Sequence, residues 1–124
     1  MTISLRDLYA ILREACIRKE IIYYSVVSTR YHRRTDEYHE PHGTWDQHLG
    51  ELNRLAFAEV EVAISPIVTY KPNDNQSPGP PGHGMWGTPG VPPCPSGKAA
   101  QEAEWHRLVN LAHLQTWPET LPGL

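Results

Sequence analysis

Residues 62–97 read VAISPIVTYKPNDNQSPGPPGHGMWGTPGVPPCPSG, a β-branched apolar run followed by a segment dense in proline and glycine. The first part, residues 62–70, predicts a β-strand, because β-branched side chains favour extended backbone. Pro66 lacks a backbone donor, so it predicts an edge position or a bulge within that strand. Residues 71–97 are too long for an ordinary connection and predict a functional or disordered loop inside the domain.

Helical patterns lie on both sides of this stretch. Ser4 and Asp7 form a capping-box-like pair, which predicts a helix from Leu5 to about residue 19. Thr44 is a second good N-cap, and apolar residues at helical spacing behind it predict a helix over residues 45 to about 59. Ser96 predicts the start of a last helix. The buried stripe expected for that helix is Trp105, Leu108, Val109 and Ala112.

The segment Ile21–Tyr31 allows two interpretations. Its β-branched and aromatic residues favour a strand by propensity. The alternative is a short extended piece at residues 21–23, followed by a helix that Ser25 caps and that runs to about Tyr31. Periodicity cannot separate these readings, because short apolar runs fit both. We favour the second interpretation slightly.

Length and charge limit the organisation of the chain. Its 124 residues predict a single domain over 1–124, with the proline- and glycine-rich loop 71–97 inside it. Residues 1–34 carry seven basic and three acidic side chains, a net charge of +4, whereas the remainder carries four basic and eleven acidic ones, or −7. Such a basic third either attracts a polyanion or pairs with the acidic remainder of the chain, which we take as the more common outcome.

Three short motifs carry a resemblance. LGELNR at 49–54, ISPIV at 64–68 and PGHGMW at 81–86 are together similar to a poorly characterised domain of bacterial and phage proteins. The resemblance implies an α+β, winged-helix-like fold, with three to four helices, a small antiparallel β hairpin and the long loop as an extended wing. The strand and turn also resemble, more distantly, the winged-helix module of alkyltransferase-like DNA-repair proteins, although the PCHR signature is absent. The resemblance implies no chemistry.

A basic and aromatic cluster predicts one candidate binding surface. Arg30, Arg33 and Arg34 are interleaved with Tyr31. Arginine contacts phosphates, and an exposed tyrosine stacks on bases, so these residues are candidates for nucleic-acid binding. The helix that begins at Trp45 is acidic, which argues against its entering a groove of DNA.

The long loop offers a second candidate. Met85 and Trp86 are apolar anchors that a proline-rich segment could present to a protein partner. The competing interpretation is that Trp86 fastens the loop to the core of its own domain, which is common for long loops.

Histidines provide a weaker candidate for a metal site. His39 and His42 have HxxH spacing and His48 follows, and imidazole is a good ligand for zinc or iron. Pro41 keeps the first two histidines off a common helical face, so solvated loop histidines are the simpler interpretation. No nucleophile elbow, phosphate loop or dinucleotide fingerprint occurs, and we predict no cofactor. The sequence therefore favours binding over catalysis.

Further expectations concern location and partners. No secretory signal or membrane-spanning run is evident, and the two cysteines are expected to be free thiols, so the sequence predicts a cytoplasmic protein with no membrane partner. We expect a protein-interaction or regulatory adaptor first, a nucleic-acid-binding protein second and a small metal-dependent enzyme third. A homodimer stays open.

Overall fold

A computed structural model describes residues 3–37, 45–72, 79–81 and 84–124 of the chain. The first helix, α1, spans Leu5–Ile17 and begins as its capping residues predict, because the Ser4 hydroxyl accepts a hydrogen bond from the Asp7 backbone amide. Leu8, Leu12 and Ala15 are fully buried along one face of α1. The prediction for this helix is confirmed.

The segment after α1 follows the second of the two interpretations. Strand β1 occupies only Ile22–Tyr23, and helix α2 follows directly over Tyr24–Thr35. The helix begins two residues earlier than expected, since its N-cap is Tyr23 and not Ser25. Its C-cap, Asp36, takes the left-handed conformation with φ 60°. Because α2 continues to Thr35, the arginines near its end lie on a helix.

The two later helices match the periodicity of the sequence. Helix α3 spans Trp45–Val60, and helix α4 spans Lys98–Leu114 with its N-cap at Gly97 instead of Ser96. The stripe expected for α4 is buried. It consists of Trp105, Leu108, Val109 and Ala112.

The predicted strand over residues 62–70 is mostly wrong. A short 3₁₀ helix occupies Ser65–Ile67, and strand β2 is limited to Val68–Thr69. The indole nitrogen of Trp105 donates a 2.8 Å hydrogen bond to the Pro66 carbonyl oxygen. That carbonyl is therefore satisfied by a side chain of α4 and needs no neighbouring strand.

The predicted antiparallel hairpin is also not what the described residues form. Strand β2 pairs with β1 in parallel, with Ile22 opposite Val68 and Tyr23 opposite Thr69. Two helices, α2 and α3, separate these strands in the chain, and a crossover of this length is what a parallel pair requires. The coarser expectation, an α+β fold with four helices and a small sheet, is confirmed.

All four helices contribute to one cluster of buried side chains. The short sheet and the 3₁₀ helix pack into the same cluster. The largest fully buried side chains are Trp45, Trp105, Tyr9, Tyr31, Leu8, Leu12, Leu52, Ile64, Ile67, Leu121, Val27 and Val68.

A buried asparagine joins the proline- and glycine-rich loop to this core. Asn53 on α3 is 1% exposed, and its side-chain oxygen accepts hydrogen bonds from the Ile64 and Ser65 amides at 3.0 and 2.9 Å. Its amide nitrogen donates to the hydroxyls of Ser65 and Thr88 at 2.7 and 3.0 Å. Met85 is buried nearby in sequence. The described part of the loop is therefore fastened to the domain.

Candidate functional site

An open cavity lies between the outer faces of α1 and α2. It has a volume of about 300 Å³, and its lining combines apolar, acidic and strongly basic side chains. We call it the arginine groove. Its lining residues are Ala10, Ile11 and Glu14 from α1, and Arg30, Arg33 and Arg34 from α2.

The spacing of the arginines explains their common position. Residues three and four apart lie on one face of a helix, so Arg30, Arg33 and Arg34 form one wall of the groove. The small Ala10 and the buried Ile11 leave space opposite that wall. Arg33 and Arg34 also lie in the last turn of α2, where cations interact favourably with the helix dipole.

Two of these arginines already have carboxylate partners. Arg30 contacts both carboxylate oxygens of Glu20 at 3.3 and 3.4 Å. Arg34 donates a 2.7 Å hydrogen bond to Asp7 through Nε. That geometry uses the side edge of the Arg34 guanidinium and leaves its Nη1 and Nη2 atoms without a hydrogen-bond partner among the described residues.

Arg33 differs from its two neighbours. Its side chain is exposed, and no carboxylate in the described part of the chain pairs with it. The three acidic side chains of residues 1–34 are all engaged, Asp7 and Glu20 as above and Glu14 with Arg18 at 2.7 Å. Among the described residues, the ion pairs of Arg18, Arg30 and Arg34 all lie within the basic third, and not with the acidic remainder as we expected.

Other cations of the basic third hold the C-terminal part of the chain. Three of them donate hydrogen bonds to backbone carbonyl oxygens there, at distances between 3.1 and 3.4 Å. The pairs are Arg6 with Leu124, Arg13 with Trp117, and Lys19 with His113.

Asp7, in the first turn of α1, contacts one of the arginines that line the groove. A hydrogen bond with the Ser4 side chain lowers the pKa of Asp7, and the neighbouring Arg34 lowers it further. The Asp7 carboxylate is therefore charged near neutral pH. Its 2.7 Å contact with Nε restrains the Arg34 side chain.

Tyr31 does not belong to this surface. Its side chain is 1% exposed, its hydroxyl accepts a hydrogen bond from the Ser4 amide at 2.9 Å, and its ring packs edge-on against Trp45 with 5.4 Å between centroids. A ring so enclosed offers no free face to a base. The surface that the sequence predicted around Tyr31 is therefore reduced to its three arginines.

The two apolar loop residues lie against the protein's own core. Met85 is 5% exposed, and Trp86 is partly buried against the hydrophobic cluster. This arrangement is the competing interpretation of the sequence, in which the loop is anchored internally. Met85 and Trp86 remain a prediction as protein-binding residues, and Met85 could contact a partner only after the loop moved.

The predicted metal ligands are not assembled in the described residues. His39 and His42 lie outside them, and His48 lies on α3 with its ring 6.4 Å from that of Trp45. Across residues 3–37, 45–72, 79–81 and 84–124, no group of three His, Cys, Asp or Glu side chains is placed to hold a metal ion. The two cysteines are free thiols, with Cys16 buried and Cys94 exposed.

The sequence predicted the arginines on one wall of the groove, but not the residues of α1 that face them. Ala10, Ile11 and Glu14 carry no motif, and only the packing of α1 against α2 makes them neighbours of the arginines. Asp7 was recognised as a capping residue, but its second role as the partner of Arg34 needs the tertiary structure.

No family model, curated protein or solved structure matches the chain. None of the described helices is both long enough and apolar enough to cross a bilayer. The geometry of the arginine groove is therefore the main indication of function.

Proposed function

We propose that the chain is a binding module, a regulatory adaptor, that docks an acidic segment of a protein partner in the arginine groove. The observation that carries this proposal is the cavity of about 300 Å³ with an apolar base and three arginines on one wall. Apolar surface beside arginine is typical of the centres of protein interfaces, where arginine is among the enriched residues.

The distribution of charge favours a short acidic segment over a long polyanion. Within the described ranges Arg33 has no carboxylate partner, whereas Arg30 and Arg34 share their charge with Glu20 and Asp7. A chain of phosphates that extended beyond the groove would approach these carboxylates, and like charges repel. A segment with one or two acidic side chains can contact the arginines while it meets only Glu14, which lines the groove and is paired with Arg18.

Binding of labelled peptides tests the proposal. A short fluorescein-labelled peptide of alternating glutamate and alanine, measured by anisotropy at low salt, should bind, and its glutamine counterpart should not. Arg33→Ala should weaken the binding about tenfold or more, since it removes the uncompensated cation. Arg107→Ala is the matched control, because Arg107 is an exposed arginine paired with Glu104 on α4, and it should bind as the wild type does. Equal binding of the glutamine peptide would contradict the proposal.

One observation favours a second candidate, single-stranded nucleic acid. Three arginines on one helix face are suited to phosphates, and such binding weakens steeply with salt. The same assay with a short oligothymidylate separates the candidates. Tighter binding of the oligothymidylate than of the acidic peptide, with a steep salt dependence that Arg33→Ala reduces, would favour the nucleic acid.

The winged-helix-like arrangement and the bacterial or phage setting stay predictions. They rest on the motifs at 49–54, 64–68 and 81–86. An experimental structure of the whole loop is the test, because a wing requires a return strand that pairs with residues before it.

A further inference from the structure

We infer that the anion which the arginine groove selects is a phosphorylated serine or threonine side chain of the partner. The inference rests on the proposed function and names the chemistry of the ligand at the same site. It follows from the hydrogen-bond donors of Arg33 and Arg34 that have no partner in the described part of the chain.

The contact between Asp7 and Arg34 positions the guanidinium and leaves two of its nitrogen atoms available to a ligand. Asp7 accepts from Nε of Arg34 at 2.7 Å. The two Nη atoms at the far end of the guanidinium have no partner among the described residues. Asp7 lies in the first turn of α1, where the Ser4 hydroxyl caps its backbone amide, and its carboxylate acts as a positioning group for Arg34.

Arg33 adds a second guanidinium on the same wall, one that has no hydrogen-bond partner among the described residues. Adjacent residues on a helix diverge by about 100°, so the two long side chains reach the cavity from different directions. Both line it. Together they present more donors than a single carboxylate, with two oxygens and one charge, can use.

A phosphoryl group matches this donor set better. It carries about −1.5 to −2 charges near pH 7 and has three strong acceptor oxygens. It can accept from Arg33 and from the Nη atoms of Arg34 while Asp7 keeps Nε. No internal ion pair has to break. Glu14 also lines the cavity, and its pairing with Arg18 at 2.7 Å offsets its repulsion of the phosphate.

A peptide set with one changed side chain tests this inference. Three labelled peptides of otherwise neutral sequence carry serine, glutamate or phosphoserine at one position. The phosphoserine peptide should bind about tenfold or more tightly than the glutamate peptide, and its affinity should rise from about pH 5 to about pH 7.5 as the phosphate loses its second proton near pH 6.

Variants of both arginines complete the test. Arg33→Ala and Arg34→Ala should each weaken binding of the phosphoserine peptide about tenfold. Arg34→Lys should bind the phosphoserine peptide as weakly as Arg34→Ala. A lysine has a single ammonium group, so it cannot donate to Asp7 through one nitrogen and to the phosphate through two others. Arg107→Ala again serves as the control, and circular dichroism checks that each variant is folded.

The outcomes separate the inference from the proposed function. Equal affinity for the glutamate and phosphoserine peptides would overturn the inference and leave the acidic docking groove intact. Displacement of the phosphoserine peptide by equal concentrations of inorganic phosphate or oligothymidylate would also overturn it, because a free anion or a phosphodiester would then suffice. Failure of every acidic peptide to bind would contradict both.

Discussion

The carboxylate of Asp7 lies 2.7 Å from Nε of Arg34, so one ion pair joins the first turn of α1 to the last turn of α2. Each partner also suits its own helix end, since an anion near an N-terminus and a cation near a C-terminus both interact favourably with the helix dipole. The pair thereby sets one end of the arginine groove and contributes to the packing of the two helices.

This ion pair predicts a dependence of stability on acid. The folded state lowers the pKa of Asp7 below its ordinary value of 3.8. Stabilisation is therefore present above that value and is lost as the pH falls through the lower pKa of the folded state, because the unfolded chain binds the proton first. Between about pH 5 and pH 2, urea denaturation should show a smaller loss of stability for Asp7→Asn than for the wild type.

The control for this measurement is Glu119→Gln, which removes one exposed carboxylate near the C-terminus. Between the same pH values, the free energy of unfolding of Glu119→Gln should fall by more than that of Asp7→Asn. If Asp7→Asn lost stability with falling pH as steeply as the wild type, the contribution of Asp7 to the acid dependence would be contradicted.

Asn53 should be among the polar residues on which the fold depends most. Truncation to alanine leaves the buried amides of Ile64 and Ser65 without an acceptor, in addition to the lost hydroxyl contacts. We expect Asn53→Ala to lower the free energy of unfolding by roughly 2–4 kcal/mol in urea denaturation. Asn110→Ala, at an exposed position of α4, should change it by less than about 0.5 kcal/mol. Equal effects of the two substitutions would contradict the role assigned to Asn53.

Alanine substitutions at two loop glycines distinguish the cost of a strained backbone from the cost of steric crowding. Gly87 and Gly90 have φ of +82° and +84°, so alanine at either position costs roughly 1–2 kcal/mol. A Cβ at Gly87 would meet nothing within 4 Å, whereas one at Gly90 would lie 3.0 Å from Phe57 and 3.1 Å from the Cβ of Ala63. Gly90→Ala should therefore be the more destabilising in thermal or urea unfolding, by roughly 1–2 kcal/mol. Equal losses would mean that the loop does not pack on Ala63 as described.

The two thiols should react at very different rates. Burial raises the pKa of the Cys16 thiol to about 12, whereas Cys94 is exposed. The thiolate is the reactive form, so near pH 8 Ellman's reagent should modify one thiol per folded chain quickly and the second only after denaturation. Cys94→Ser should abolish the fast phase. A fast phase of two thiols in the wild type would contradict the burial of Cys16.

The helices were predictable because their signals are local. The start of α1 follows from Ser4 and Asp7, and the buried face of α4 follows from spacing alone. Residues 62–70 do not form the predicted long strand, because several of their backbone groups are satisfied by side chains from outside the segment. Asn53 binds two of its amides, and Trp105 binds the carbonyl of Pro66.

The candidate site was predictable only in part, for a similar reason. The three arginines are visible as a cluster, but Tyr31 has the same sequence context and is buried by Trp45. Whether a tyrosine on α2 faces the core or a ligand depends on which helix packs beside it. The arrangement of Ala10 and Ile11 opposite the arginines likewise follows from packing between helices.

Mapping of the bound surface tests the central claim most directly. In a ¹⁵N-HSQC titration with the phosphoserine peptide, we predict that the largest shift changes fall on backbone amides at the lining of the arginine groove and that Arg33→Ala abolishes them. The strongest should be those of Ala10, Ile11, Arg33 and Arg34. Saturable shift changes confined to another surface, such as the exposed face of α4, would contradict the claim that the arginine groove is the binding site.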